Sequence, residues 1–263
     1  MEDIDFLHVN SDEFVVGISL ENVENILAAA KSSRIKREYL EACTPQHRVK
    51  LLSFFISKKL VTVKQFEVFI EDTCYVTEAE KEGWGWIWEG GWKKKAGVSW
   101  KKPFGDSRDF FYYECKDKFP VIQISWNDAS EYAKWLSAKS GIKTELPSEY
   151  QWEAFAFSIG LTSMMERTAE PILEVKDSND FIELLEQRLQ NNPYQNGICW
   201  EWVYDWYKAY EPSVTNRDFG EVYKVLRGGS ILSEGIQRGR EFRFRRCPTA
   251  RSPYYSFRIV QYF

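Results

Sequence analysis

Residues 119–160, FPVIQISWNDASEYAKWLSAKSGIKTELPSEYQWEAFAFSIG, hold the two segments whose reading decides the fold. In the first, Ala129, Tyr132, Ala133 and Leu136 recur at three- and four-residue spacing, which lays them along one face of a helix that stops at Gly141. In the second, Ser148 with Gln151 three residues on forms a capping box. Trp152, Phe155, Ala156 and Ile159 follow as the apolar face, with Gly160 where a helix-ending glycine belongs. Upstream, Thr62 and Gln65 repeat the capping box ahead of Val63, Phe66, Phe69 and Ile70. Residues 6–18 read as extended structure broken by a turn at 10–12, and 21–42 as one helix whose second, charged half is exposed, ended by Thr44-Pro45. Residues 48–56, RVKLLSFFI, suit a single strand buried on at least one face. Downstream, Phe181, Leu184, Leu185 and Leu189 predict a further amphipathic helix, closed by the turn residues NNPYQNG. The stretch 75–106 shows little periodicity and reads as a long loop, of the kind that is functional or packed by its own rings. No repeat, low-complexity tract or linker divides the chain, so 1–263 reads as one domain.

Composition narrows the function. At 263 residues the chain can bury a substantial core, and 16% aromatic residues with 11 Trp point to long loops filled by rings. A net charge of −4 and a pI near 5.5 argue against a general nucleic-acid binder. No apolar run approaches the roughly 20 residues that span a bilayer. The start MEDIDFLHVN has no secretory character, and five scattered cysteines without a CxxC pair suit reduced thiols, so a cytoplasmic protein is expected.

Few residues offer chemistry. His8 and His47 are the only histidines and lie far apart, so scaffold roles outweigh a two-histidine metal site or a triad. Glu149 and Glu153, at i and i+4, suit a solvated face or arginine partners better than an acid–base pair. The closing segment 225–263 is the distinctive one: a Gly-Gly pair, eight arginines from Arg227 to Arg258, and Cys247. Its arginines admit three readings: structural pairing, a nucleic-acid surface with Trp stacking, or a protein-recognition surface rich in Trp, Tyr and Arg. The second is disfavoured by the acidic overall charge. Trp84, Trp86 and Trp88 alternate as on a strand and share one face, packed on the domain or offered to a ligand; Trp100 is assigned to the core.

Taken in order, the segments 47–73, YVTEAEKEG, GVSWKKPFG, FPVIQISWNDASEYAKWL, LPSEYQWEA, WEWVYDWY, KVLRGGS, CPTARS and SFRIV resemble the formylglycine-generating enzyme (sulfatase-modifying factor) family over nearly the whole chain. The resemblance implies an α+β fold: a single formylglycine-generating-enzyme-like, C-type-lectin-type domain with low regular structure, here with an insertion near 161–190. Active members carry a copper-binding cysteine pair shortly after GGS. This chain has ILSEGIQRGREF there, with Ser233 near the first cysteine position and nothing in place of the second. A serine hydroxyl is no soft thiolate ligand, which argues against copper and against the enzymatic reaction. The family's calcium turn appears as residues 197–202, GICWEW; Glu201 keeps calcium open while Ile198 weakens it.

The reading that follows is a non-catalytic module that binds a protein or peptide, with no role for nucleic acid or a membrane. Its candidate surface combines Trp84, Trp86, Trp88 and Trp92 with Ile231, Ser233, Glu234, Gln237, Arg238, Arg240 and Arg243. The alternatives are a divergent copper- or metal-dependent oxidase and a regulatory paralogue of an active member. The chain ends just after SFRIV, which is similar to variable proteins of diversity-generating retroelements and extends the expectation to that branch.

Overall fold

Local capping sets where the main helices begin. In the computed structural model, which describes residues 4–30, 35–105, 108–167 and 176–262, the elements run β1 (Phe6–Val9), β2 (Asp12–Val16), α1 (Leu20–Ala29), α2 (Arg37–Glu41), β3 (His47–Leu51), β4 (Phe54–Ser57) and α3 (Val63–Thr73). There follow α4 (Glu78–Glu82), β5 (Trp84–Trp88), β6 (Trp92–Ala96), α5 (Arg108–Glu114), α6 (Trp126–Ser140), β7 (Lys143–Glu145) and α7 (Glu149–Ser158). The chain closes with α8 (Ser178–Asn191), β8 (Trp200–Trp206), β9 (Lys224–Arg227), β10 (Phe244–Arg246), β11 (Tyr255–Phe257) and β12 (Val260–Tyr262). The capping boxes at Thr62/Gln65 and Ser148/Gln151 form as the sequence predicts. Two more, Thr77/Glu80 and Ser125/Asp128, start α4 and α6. Each satisfies two of the N–H groups that a helix start leaves unpaired.

Two four-stranded sheets carry the fold, in the orders β1-β4-β12-β7 and β10-β9-β8-β11, beside the two-stranded pairs β2-β3 and β5-β6. The β8–β11 pairing is parallel, so the last strands thread back through both sheets. Between the elements lies a ring-rich core. Phe66 packs 5.4 Å from Trp100 and 5.9 Å from Tyr132, and Tyr132 meets Phe257 at 5.3 Å. Trp100 is fully buried, as assigned.

Three expectations are corrected. The single helix over 21–42 is two: Ala30 turns extended where the apolar stripe runs out, and α2 re-anchors through buried Leu40. Residues 31–34 lie outside the described residues. The single strand over 48–56 is also two, because β3 pairs with β2 while β4 pairs with β1, leaving Leu52 at the crossing 81% exposed. The aperiodic loop over 75–106 contains α4 and the β5–β6 hairpin; its tryptophans alternate with Gly85 and Ile87, which face inward. The predicted helix around Phe181 to Leu189 forms as α8, with Phe181, Ile182 and Leu185 buried. Part of the insertion, 168–175, lies outside the described residues. Among the described residues no helix is long and apolar enough to cross a membrane.

Candidate functional site

The closing segment turns most of its arginines inward. Helix α7 presents Glu149 and Glu153 one turn apart, and both are buried. Arg243 grips Glu149 with a fork, Nε to Oε2 at 2.6 Å and NH2 to Oε1 at 2.7 Å, and donates further to the carbonyls of Ala42 and Lys208. Arg227 NH2 meets Glu153 Oε2 at 2.5 Å and the Arg240 carbonyl at 2.7 Å. Of the readings for the two glutamates, arginine pairing is the one the structure adopts. Burial pushes the Glu153 carboxyl up to about 7 against the pull of Arg227. Arg227, despite burial that lowers it, is raised by Glu153. The two effects oppose each other over one pair. The 2.5 Å contact, with the Gly17 N–H also donating to Glu153, fits the charged pair.

Glu201 on β8 completes this interior. Arg258 donates to both its oxygens, at 2.5 and 2.9 Å, and Trp152 Nε1 donates at 2.7 Å. Glu201 and Arg258 have no solvent exposure. The side chain of the calcium candidate is engaged: both carboxylate oxygens already hold a guanidinium, which a metal ion would have to displace. Among the described residues no group of three or more His, Cys, Asp or Glu could hold a metal ion. The Gly-Gly pair belongs to the same interior. Gly228 has φ +87°, and a Cβ there would lie 2.8 Å from Trp152 Cζ2.

The residues offered as a ligand surface in this segment are mostly inside. Ile231, Ser233, Glu234, Arg238 and Arg243 are all buried, while Gln237 and Arg240 are half-buried. Ser233 closes a turn. Its Oγ accepts the Ser230 N–H at 2.9 Å and lies 3.2 Å from Ser230 Oγ. Gln237 Oε1 accepts the Glu234 N–H, and Arg240 pairs with Glu241 and donates to the Leu161 carbonyl. Arg238 borders a cavity of about 500 Å³ shared with Arg167, Arg188, Asn192 and Asn196. The surface assigned to 231–245 is thus corrected. Arg243 faces Glu149 of α7, the Arg240 side chain reaches the Leu161 carbonyl, and Ser233 and Gln237 turn back onto Ser230 and Glu234.

What reaches solvent is the next stretch, residues 246–250, and with the buried residues 251–255 that follow it meets the tryptophan hairpin. A cleft of about 300 Å³ is lined by Trp86, Trp92, Arg246, Arg251, Ser252 and Tyr255, with Ala250 between them. Arg251 latches the two walls: its guanidinium donates to the Trp84 carbonyl at 2.9 Å and to Glu82 at 2.8 Å, and stacks 4.0 Å from the Trp84 ring. Lys94 also lies 4.0 Å from that ring, so Trp84 sits within reach of two cations. Trp88 packs edge-on to Trp92 at 5.3 Å, and Trp92 meets Tyr254 at 5.4 Å while staying 49% exposed. Arg246 is exposed, its guanidinium 4.3 Å over Phe244. Of the hairpin tryptophans, Trp86 and Trp92 thus line the cleft, and Trp84 and Trp88 brace it. The candidate surface leaves out Arg246, Ala250, Arg251, Ser252 and Tyr255. The signal for Ala250, Arg251 and Ser252 is the CPTARS run, which looks like scaffold until Arg251 is seen to fasten the hairpin.

This is the architecture of a formylglycine-generating-enzyme-like domain, and the comparisons agree. The sulfatase-modifying factor enzyme 1-like domain family matches residues 14–179, and the chain belongs to that family. The match ends before the closing segment. The formylglycine-generating enzyme of Streptomyces coelicolor is 27% identical over 232 residues, covering 72% of this chain and 71% of that protein. An inactive C-alpha-formylglycine-generating enzyme 2 of Mus musculus is 30% identical over 134 residues, 44% of this chain and 40% of that protein. A serine/threonine-protein kinase pkn1 of Chlamydia pneumoniae is 30% identical over 82% of this chain, which corresponds to 34% of that longer protein. Two solved structures share the fold: PvdO from Pseudomonas aeruginosa (TM-score 0.60, 17% identity, 98% of this chain, 94% of that one) and Treponema denticola variable protein 1 (TM-score 0.56, 14% identity, 97% and 94%).

Proposed function

We propose that this chain is a non-catalytic binding module whose ligand, a protein or peptide segment, docks in the cleft between the tryptophan hairpin and residues 246–255. The observation that carries this reading is the cleft itself: two half-exposed indoles, a phenol ring and an exposed guanidinium, held by Arg251. Rigid aromatic anchors beside an arginine are the composition of interface hot spots. The absence of the family's cysteine pair from the sequence supports a binding role over the oxidase reading, because Ser233 offers neither a thiolate nor a redox partner. The match to an inactive relative and the fold shared with a variable protein fit the same reading.

The test is selection of peptides from a random display library on the wild-type protein, followed by titration of the winners. Trp92→Ala and Arg246→Glu each weaken binding by on the order of tenfold or more, while the unfolding midpoint stays put. Winners that bind both variants as tightly as wild type would remove the cleft from the proposal. Copper-dependent oxygen consumption with a cysteine-containing peptide would overturn the non-catalytic reading.

A further inference from the structure

A separate cavity of about 450 Å³, sharing no lining residue with the cleft, is walled by Trp126, Tyr150, Tyr204, Asp205, Trp206 and Lys224, among others. Its shape comes from an irregular ladder. Trp202 pairs with Leu226 and Trp206 with Lys224, so three residues of β8 stand opposite one of β9. Such bulges re-aim side chains, and they are over-represented next to active sites. Here the bulge brings Tyr204 and Trp206 against the Lys224 amine and sets Asp205 in the same cavity wall. The ammonium sits 3.9 Å from the ring centroids of both Trp126 and Trp206, and donates to the Tyr204 carbonyl at 2.8 Å. Asp205 shares the cavity and accepts the Glu149 backbone N–H at 2.7 Å.

The bland reading is a structural cation stacked between two indoles. Two features exceed it. The amine borders a space large enough for a small organic molecule, and it shares that space with a carboxyl able to carry a proton. Burial lowers the Lys224 ammonium to about 8; Asp205 and Glu221 oppose the shift and Lys208 adds to it. Burial, then the charge of Glu149, lifts Asp205 to about 6. A desolvated lysine near another cation is a recognised way of activating an amine nucleophile.

We propose that Lys224 is a carbonyl-capturing residue that forms a reversible imine with small aldehydes held between the rings of this cavity, with Asp205 as the acid. The neutral amine attacks the aldehyde carbon, forming the N–C bond as the carbonyl π pair moves to oxygen. One N–H proton passes to that oxygen, giving a carbinolamine. Asp205 protonates the hydroxyl, which leaves as water while the nitrogen lone pair forms C=N. The remaining N–H proton then returns to Asp205. Aldehyde and amine thus give imine and water, with no oxidant or reductant.

Benzaldehyde with cyanoborohydride, which reduces the imine to a stable secondary amine, tests this on the wild-type protein at about pH 7.5 by peptide mapping. Lys224 is labelled on the order of tenfold or more faster than the exposed Lys134 and Lys143. Asp205→Asn slows imine formation at Lys224, yet leaves its acetylation by acetic anhydride as fast or faster, since a charge holding the ammonium is gone. Labelling of Lys224 no faster than Lys134 and Lys143 by both reagents would overturn the proposal. Equal slowing or no slowing of both reactions in Asp205→Asn would remove the acid's role.

Discussion

Arg243 and Arg246 stand three residues apart in the closing segment and face opposite ways. Arg243 is 1% exposed, forked on Glu149 and bonded to two carbonyls. Arg246 is exposed, stacked on Phe244, and donates to its neighbour's carbonyl. The same contrast separates Arg227 and Arg258 from the cleft. What differs is the supply of carboxylates: α7 and β8 place Glu149, Glu153 and Glu201 opposite the first group. A count of arginines therefore says little about where a ligand binds. The positions of the acids decide which cations are structural, because a guanidinium enters the interior only with its hydrogen bonds met.

That division can be broken by stability measurements. Arg258→Met strands the fully buried Glu201 and costs about 3–5 kcal/mol in urea denaturation. Arg246→Met stays within about 0.5 kcal/mol. Comparable losses would erase the distinction between interior and cleft. Millimolar calcium leaves the wild-type midpoint unchanged, since Arg258 holds Glu201; a rise on adding calcium would restore the ion to this turn. Gly228→Ala comes next, at about 1–3 kcal/mol from its φ of +87° plus the contact with Trp152. A neutral Gly228→Ala would mean that the turn beneath α7 yields more readily than its packing implies.

Local signals in the sequence reached the helices further than the site. The capping boxes at Thr62 and Ser148 and the stripe Ala129–Tyr132–Ala133–Leu136 depend on neighbours within one or two turns, and all appear in the structure. The split of 48–56 between two sheets depends on which distant strand each half pairs with, and periodicity carries no such information. The tryptophan hairpin was hidden because its Glu-Gly-Gly turn and three consecutive lysines mask the alternation on β6. For the site, the two segments to be joined were legible, but not which part of the closing segment reaches them. Burial of Arg243 follows from contacts with Glu149 of α7 and with residue 42, far away in sequence, and the Arg240 side chain is tied to Leu161 in the same way.

The cavity beside Lys224 responds to pH through Asp205. Asp205 titrates near 6 in the fold against an ordinary 3.8. The fold thus binds this proton more tightly than the unfolded chain does. The contribution of Asp205 to stability is fully present below about pH 4 and is lost as pH rises through about 6, by on the order of 3 kcal/mol, and Asp205→Asn lacks that loss. Parallel pH–stability curves for wild type and Asp205→Asn would show that Asp205 is not shifted.

The smallest effect bears most directly on the closing segment. Ser233 lies near the position where the family's first catalytic cysteine is expected, and its hydroxyl holds the Ser230 N–H in a buried turn. If that turn is only structural, Ser233→Ala costs about 1 kcal/mol, the worth of one buried hydrogen bond, and leaves cleft binding unchanged. Ser233→Cys would restore one thiol without its partner, and the dithiol step needs two, so copper and a thiol peptide give no oxygen consumption. The opposite pattern is informative. Loss of peptide binding in Ser233→Ala at unchanged stability would mean that the buried turn controls the cleft, and the line between interior and surface would have to be redrawn through residue 233.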